Sequence, residues 1–215
     1  MKISGAIFDF DGTLMDSMYV WENVASDYLL NRGVPPHAGL QEKFKTLSIY
    51  QAACYYRDEY GIADSPERIT AEINAMVEKA YKYDVLPKAG VREFLQKLKL
   101  HGVKMCIATA TDSHLIKAAL SRCELSEYFG AIFTCTEIGK GKDEPDIYIA
   151  ALEFMGTPKN ETFVFEDAYF AVNTAKKAGF PVAGVYDKYE KNTGKIEIIS
   201  DIYIRAFGKA EGLFE

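Results

Sequence analysis

The sequence predicts an α/β fold, in which a Rossmann-like parallel sheet has helices on both faces and carries an inserted all-helical cap domain. From residue 86 onward, short apolar segments alternate with segments whose apolar residues recur at helical spacing. Between residues 16 and 84 only the helical period is found. Strands that alternate with helices form parallel sheets covered on both faces. We therefore expect a core domain over residues 1–15 and 85–215, and a helical cap over residues 16–84.

The first predicted strand ends in two carboxylates. The apolar run over residues 6–8 leads into Asp9, Phe10, Asp11 and Gly12. Side chains two apart in a strand point to the same face, so Asp9 and Asp11 should lie side by side. Such a pair is unfavourable unless a cation lies between the two groups or one of them takes a proton. The alternative interpretation is structural, because Asp-Gly is also a common turn dipeptide.

The insert is predicted to be helical throughout. A first helix follows the N-cap signal of residues 15–17 and stops near residue 33. An apolar stripe over residues 49–56 marks a second helix, which is interrupted at residues 61–62. A third helix starts at Ser65-Pro66. Its predicted inner face consists of Ile69, Ile73, Met76, Val77 and Ala80.

After the insert, segments with the apolar pattern of strands alternate with segments of helical spacing. Strands are predicted at residues 103–108, 131–134, 162–165 and 181–185, with a final edge strand over 198–204. One helix is predicted around residues 91–101, and a second from a cap at Asp112 or Ser113 to about residue 123. A third helix begins at Pro145, and a fourth ends at Gly179. Residues 139–142 are predicted to form a loop.

Polar side chains follow the predicted core strands. In parallel sheets, ligands bind beyond the carboxyl ends of the strands. The polar groups that follow strands, or loops leading from them, should therefore converge on one edge, although they are far apart in the chain. The helical insert leaves directly after the first strand, so we expect it to lie above that edge. The converging residues are Asp9, Asp11, Thr109, Lys142, Glu166 and Asp167.

This set of side chains suits phosphoryl transfer. Carboxylates such as Asp9 and Asp167 are the hard oxygen ligands that magnesium prefers, with Glu166 as a third candidate. Thr109 offers a hydroxyl and Lys142 a positive charge. Cation and lysine together would offset the repulsion between a carboxylate nucleophile and an anionic substrate. We therefore expect chemistry through an aspartyl-phosphate.

Four motifs, in order along nearly the whole chain, resemble those of the haloacid dehalogenase (HAD) superfamily. The resemblance is to the branch with a helical cap after the first strand, which includes phosphoglycolate phosphatases and β-phosphoglucomutases. The motifs are DxDGT at residues 9–13, Thr109 at the end of a core strand, Lys142 in a K-P-x-P-D pattern in which Asp143 replaces the first proline, and Glu166-Asp167 before a helix.

The resemblance implies roles for the two leading carboxylates. Asp9 is the expected nucleophile and a metal ligand. Asp11 is expected to protonate the leaving group, then activate water, and to bind the metal through its backbone carbonyl. An acidic residue at Asp11 also argues against the dehalogenase branch, which lacks a carboxylate there.

The other motifs imply phosphate and metal contacts. Thr109 and the N–H of Ala110 are expected to hold the phosphate, and Lys142 to link phosphate and nucleophile. Asp167 is expected to bind Mg²⁺ directly. Glu166 either binds the ion or orients its water shell.

Besides Asp143, three residues depart from the pattern of close relatives. Ala168 and Ala171 replace a serine and a glycine after Glu166-Asp167, without removing an expected ligand. Trp21 stands where the β-phosphoglucomutase pattern has a histidine that contacts substrate. That difference favours a phosphatase over a mutase.

We therefore expect a Mg²⁺-dependent phosphatase of a small phosphorylated metabolite, with sugar phosphates, phosphoglycolate-like compounds and nucleotides all open. A β-phosphoglucomutase-like sugar phosphomutase is the alternative. A non-catalytic binding protein on the same scaffold is more remote, because it would not need the full set of motif residues.

Composition and charge limit the partners and the cellular compartment that we expect. The net charge of −6 argues against a nucleic acid polymer as partner, and no apolar stretch is long enough to span a membrane. The N-terminal residues 1–5 lead straight into the first strand without a secretory signal. The four cysteines are scattered, without metal-binding spacing. We expect a cytoplasmic protein with reduced thiols, as a monomer or a dimer.

Overall fold

The computed structural model describes residues 2–44 and 47–210. Six parallel strands form one sheet, and eleven helices in this part of the chain surround it or form the insert. The strands are β1 Gly5–Phe8, β2 Met15–Asp16, β3 Leu86–Pro87, β4 Lys104–Thr109, β5 Ile132–Thr134, β6 Thr162–Glu166, β7 Val182–Val185 and β8 Ile202–Ile204. The helices are α1 Met18–Trp21, α2 Val24–Leu30, α3 Leu40–Phe44, α4 Ile49–Tyr60, α5 Pro66–Tyr83, α6 Val91–Leu100, α7 Ser113–Arg122, α8 Cys135–Ile138, α9 Asp146–Met155, α10 Tyr169–Lys177 and α11 Thr193–Ile199.

The first strand lies in the middle of the sheet, whose order is β5-β4-β1-β6-β7-β8. In register, Phe8 of β1 pairs with Ile107 of β4 and with Phe165 of β6. The residues that follow these three positions therefore emerge at one edge. This arrangement confirms the predicted α/β fold and its parallel sheet.

The two faces of the sheet carry separate hydrophobic clusters. Alternation along β1 sends Phe8 into one cluster and Ile7 into the other. On the first face, the ring of Phe8 stacks on that of Phe165, with centroids 4.3 Å apart. On the second, Ile7 shares its cluster with Val164 and Cys106. Helices cover both faces, so the central strands are fully buried.

The inserted helices have a hydrophobic cluster of their own. Tyr28, Tyr56 and Ile69 are among its buried members. Helix α4 begins at a capping box between Ser48 and Gln51, and α5 begins with a proline, as the sequence indicates. The end of α5 packs instead against the first core cluster.

The proposed division into a core of residues 1–15 and 85–215 and a helical cap of residues 16–84 stays a prediction. Residues 1, 45–46 and 211–215 of these ranges lie outside the described residues. The flanks of the insert pair with each other, because β2 and β3 form a two-residue antiparallel ladder. None of the described helices is long and apolar enough to cross a membrane.

Two local predictions are wrong, and one element was not predicted. Met76 is 39% exposed rather than on the inner face of α5. The unpredicted element is the short helix α8, whose four residues barely span one turn and so show no helical period. Helix α11 takes residues 193–199, so the last strand begins at Ile202 and not at 198.

Two predicted helix caps use their side chains differently. Ser17 precedes α1 but makes no side-chain hydrogen bond to its N-terminus. Asp112 is the N-cap residue of α7 and makes none either. Its carboxylate accepts hydrogen bonds from Asn74 at 2.7 Å and Thr136 at 2.9 Å instead. Tertiary partners therefore replaced the local bonds that the sequence favours.

Candidate active site

Three buried carboxylates meet at the carboxyl edge of the sheet. Asp9 follows β1, Glu166 ends β6, and Asp167 follows it. One carboxylate oxygen from each lies within 4.8 Å of the others. Oxygen donors of this kind suit a hard divalent cation, which would also lower the repulsion between like charges so close together in a buried site. The residues present therefore fit Mg²⁺.

The pKa values of two of these carboxylates reflect the same burial and repulsion. Burial raises the pKa of Asp9 to about 8, helped by the charge of Glu166 and opposed by that of Lys142. Burial, followed by the charges of Glu166 and Asp9, raises the pKa of Asp167 well above its ordinary value. A bound cation would oppose both effects by stabilising the anionic forms.

Lys142 inserts its ammonium group among these acids. It is only 4% exposed, and it donates hydrogen bonds to Asp9 and, at 2.7 Å, to Oε1 of Glu166. Burial disfavours the charge, but Asp9 and Glu166 outweigh it and raise the pKa of Lys142 well above the ordinary value. The lysine is therefore held protonated beside the candidate nucleophile.

Glu166 is fixed by both of its oxygens. Oε1 faces Lys142, while Oε2 accepts the backbone N–H groups of Asp167 at 2.9 Å and Ala168 at 3.3 Å. The alanine at position 168 thus contributes its backbone to the site. These bonds orient Glu166 without removing it from the carboxylate cluster.

Asp11 is held apart from that cluster by three hydroxyl groups. Ser17 donates to Oδ1 at 2.6 Å, and Thr111 donates to Oδ2 at 2.7 Å. Tyr81, near the end of α5, also donates to Oδ1. Among the described residues, the group of carboxylates that could share a cation includes Asp9 but not the side chain of Asp11. This placement suits the expected contact of Asp11 with metal through its backbone carbonyl alone.

The partners of Asp11 were not predicted from the sequence. Trp21 extends the network, because its indole N–H donates to the Tyr81 hydroxyl at 2.7 Å. The sequence drew attention to position 21, because Trp21 stands where the β-phosphoglucomutase pattern has a histidine. That was the one local indication of this network. Tyr81 is one of many aromatic residues in the insert, and nothing local distinguishes it.

The segment after β4 completes this edge. Thr109 is buried, and its hydroxyl oxygen accepts the N–H of Thr111 at 3.1 Å. Thr109 and Ala110 line the same cavity as Asp9 and Lys142. The two residues predicted to bind phosphate therefore face the carboxylates across one space.

The turn after Asp11 packs tightly against Asp167. Gly12 has a φ of 79°, and a Cβ there would overlap Oδ2 of Asp167. The next residue, Thr13, donates its hydroxyl hydrogen to Oδ1 of Asp167 at 2.7 Å. The Gly-Thr pair of the first motif therefore shapes and orients a carboxylate more than 150 residues away.

The carboxylates open into a cavity of about 580 Å³ that extends to the inserted helices. Asp9, Thr109 and Lys142 line it from the core part of the chain. Ile49 of α4 and Ile73 of α5 line it from the insert. The volume is in the range of small-molecule sites. The insert therefore covers the candidate site, as its place in the sequence predicts.

Comparison with known proteins identifies the family. Residues 6–185 match the model of the family described as haloacid dehalogenase-like hydrolase, so the chain belongs to that family. It is 28% identical to the phosphorylated carbohydrates phosphatase of Thermotoga maritima, over 82% of each chain. It is 26% identical to the β-phosphoglucomutase of Bacillus subtilis, over 85% of this chain and 83% of that protein.

Solved structures show the same fold. The crystal structure of CbbY from Rhodobacter sphaeroides in complex with phosphate superimposes with a TM-score of 0.80, at 18% identity, over 97% of this chain and 96% of that one. Family membership and the phosphatase relatives class the chain as an enzyme, a phosphoric monoester hydrolase of the HAD type.

Proposed function

We propose that the protein is a Mg²⁺-dependent phosphatase that hydrolyses a small phosphorylated metabolite through an aspartyl-phosphate. The observation that carries the proposal is the arrangement around Asp9. Its carboxylate lies against the Lys142 ammonium and within cation-sharing distance of Glu166 and Asp167. A carboxylate so placed can approach a phosphate dianion without prohibitive repulsion.

Asp9 acts as the nucleophile in this proposal. Its carboxylate oxygen forms a bond to phosphorus while the bond from phosphorus to the ester oxygen breaks. Lys142 stabilises the negative charge shared between phosphate and nucleophile, since it already donates to Asp9. Thr109 and the N–H of Ala110 hold the phosphate from the cavity wall.

Asp11 moves the protons. It donates a proton to the oxygen of the leaving alcohol, then takes one from the water that attacks the aspartyl-phosphate. That attack breaks the acyl-phosphate and returns Asp9 as a carboxylate, with inorganic phosphate as product. The hydroxyl groups of Ser17, Tyr81 and Thr111 fix the orientation of the Asp11 carboxylate, which supports this role.

Mg²⁺ would be held by the side chains of Asp9 and Asp167 and by the backbone carbonyl of Asp11. Glu166 either joins them or orients the water shell. When bound, the ion supplies positive charge that neutralises the phosphate oxygens. The buried acidic cluster and the raised pKa values of Asp9 and Asp167 support this assignment.

The decisive experiment is a screen of phosphate esters with and without Mg²⁺, including an activated aryl phosphate. We expect wild type to release phosphate and Asp9→Asn to lose this activity. Asp143→Asn is the matched control, because Asp143 is exposed and adjoins Lys142. Absence of phosphate release from every ester would contradict the phosphatase, and full activity of Asp9→Asn would contradict the nucleophile.

The mutase alternative is separated by its product. With β-glucose 1-phosphate, a phosphatase releases inorganic phosphate, whereas a mutase forms glucose 6-phosphate. The proposal favours phosphate, since Trp21 is engaged with Tyr81 where the mutase pattern has a substrate-binding histidine. Glucose 6-phosphate as the main product would replace the proposal with the mutase.

The proposed setting is a cytoplasmic enzyme whose partner is its small phosphorylated substrate. Monomer and dimer remain the two candidate states, and light scattering on the purified protein distinguishes them. A mass of about 24 kDa, that of one chain, would establish the monomer.

A further inference from the structure

The side of the cavity formed by the insert is predominantly apolar. We call this surface the cap wall. It is contributed by residues of α1 to α4 and by Leu47. Its members are Met18, Val24, Phe44, Leu47, Ile49 and Ala52. Such a surface favours an apolar body on the substrate and penalises hydroxyl groups that it leaves without partners.

Three polar side chains beside the cap wall bond to groups inside the protein. The Ser48 hydroxyl oxygen accepts the N–H of Gln51 at 3.1 Å, in the capping box of α4. Gln41 donates to the Ser26 hydroxyl oxygen at 3.2 Å. The lining also includes Glu22 and Asn23, but apolar residues outnumber polar ones on the described insert side of the cavity.

Among the described residues, the insert side of the cavity offers no basic side chain to a second phosphate. Among the described lining residues the basic side chains are Lys142 and Lys191, and the first is committed to Asp9 and Glu166. Lys191 follows β7 and belongs to the core part of the chain. On the insert side, the charged residue among those described is the acidic Glu22. Lys45 lies outside the described residues.

We propose that the preferred substrate is a phosphate monoester whose alcohol carries a flat aromatic or otherwise apolar body and no second anionic group. This inference rests on the proposed phosphatase function. A cavity of about 580 Å³ holds a phosphoryl group together with a ring system of this kind. The phosphate lies at Asp9 and the apolar body against the cap wall.

The test compares esters of equal intrinsic reactivity. 2-Phenylethyl phosphate and ribose 5-phosphate are both primary alkyl monophosphates, so the ratio of their kcat/KM values reports the contacts of the alcohol. Fructose 1,6-bisphosphate tests the second anionic group. We expect kcat/KM for 2-phenylethyl phosphate to exceed that for each carbohydrate ester by at least about tenfold, since even one methylene group in an apolar pocket changes kcat/KM by about that factor.

The chain offers a matched pair of variants. Val24 and Val34 are both half-buried and both pack against the hydrophobic cluster of the insert, but only Val24 lines the cavity among the described residues. Val24→Thr should lower the ratio of 2-phenylethyl phosphate to ribose 5-phosphate by about threefold or more. Val34→Thr should leave that ratio unchanged.

The outcomes separate the two levels of the proposal. If p-nitrophenyl phosphate is hydrolysed but ribose 5-phosphate or the bisphosphate equals or exceeds 2-phenylethyl phosphate, the apolar substrate class is overturned while the phosphatase stands. If no ester is hydrolysed, the phosphatase itself fails. The ratio measured for wild type decides the question even if Val24→Thr does not fold. If the two valine variants have equal ratios, the cap wall does not determine the substrate preference.

Discussion

The hydroxyl of Tyr81 donates a hydrogen bond to Oδ1 of Asp11, and this bond joins the last turn of α5 to the segment that follows the central strand. Tyr81 is fully buried, and its ring stacks on that of Phe10 with centroids 6.3 Å apart. The indole N–H of Trp21 donates to the same hydroxyl. The insert therefore reaches the proposed acid/base residue by direct contact.

Tyr81→Phe should lower kcat by about tenfold, because Asp11 loses one of the three hydroxyl groups that orient it. KM should change little, since Tyr81 does not line the cavity among the described residues. Steady-state kinetics on an aryl phosphate measure both constants. The control is Tyr28→Phe, which removes a buried hydroxyl bonded to Glu72 at 3.1 Å in the insert. Equal effects of the two variants on kcat would show that the Tyr81 bond is only structural.

Lys142→Met should reduce kcat/KM by about a hundredfold or more, since it removes the cation that contacts Asp9. Lys140→Met is the matched control in the same segment, where the lysine is half-exposed and pairs with Asp146 at 2.8 Å. It should retain activity within about twofold, because exposed ion pairs contribute little. Phosphate release by the two variants decides which lysine serves the site, and a larger loss in Lys140→Met would reverse the assignment.

Gly12→Ala should destabilise the protein and weaken Mg²⁺ binding, because the new Cβ overlaps the Asp167 carboxylate. Gly33→Ala provides the control, since Gly33 has a φ of 72° with no atom within 4 Å of the new methyl. Both variants incur a backbone cost of about 1 kcal/mol, and only Gly12→Ala should lose more than that. Thermal unfolding and Mg²⁺ titration by calorimetry measure the difference. Equal Mg²⁺ affinities would argue against Asp167 as a ligand.

The metal-free protein should lose stability as pH rises from about 5 to 8. Burial raises the pKa of Asp9 from 3.8 to about 8, so the folded state binds a proton that the unfolded state has already released in this range. Unfolding then releases protons, and the free energy of unfolding falls with pH, on the order of 1 kcal/mol per pH unit.

Added Mg²⁺ should reverse that trend, because it binds the deprotonated carboxylates and competes with the proton. The rise in melting temperature on adding Mg²⁺ should therefore be larger at pH 8 than at pH 6. Asp9→Asn removes one titrating group and should reduce the pH dependence of the metal-free protein, while the raised pKa of Asp167 maintains part of it. A pH profile that is the same in wild type and Asp9→Asn would assign the titration to another group.

Much of the site can be predicted from local patterns. Asp9 and Glu166 follow apolar runs of strand length, and parallel strands place their carboxyl ends at one edge. The pattern around Pro145 indicated Lys142 over Lys140, and the structure places Lys142 among the acids while Lys140 pairs with Asp146. Their catalytic roles stay predictions until the variants are measured.

Other features have no local signal. The Ser17 hydroxyl could equally have capped α1, and it bonds Asp11 instead. Met76 has the helical spacing of an inner residue, yet it is 39% exposed between the buried Ile73 and Val77. A hydrophobic period identifies a helix face but not how wide a part of that face its neighbours cover.

The sequence by itself determined the alternation of strands and helices, the insertion point of the helical cap and the set of polar residues at the strand ends. These follow from side-chain periodicity and turn chemistry, which act between neighbours in the chain. The tertiary structure alone decided that Tyr81 and Thr111 bond to Asp11, that Trp21 bonds to Tyr81, and that the wall of the cavity is predominantly apolar. Those contacts join residues 60 to 100 positions apart, and they depend on how packed helices are placed over the sheet.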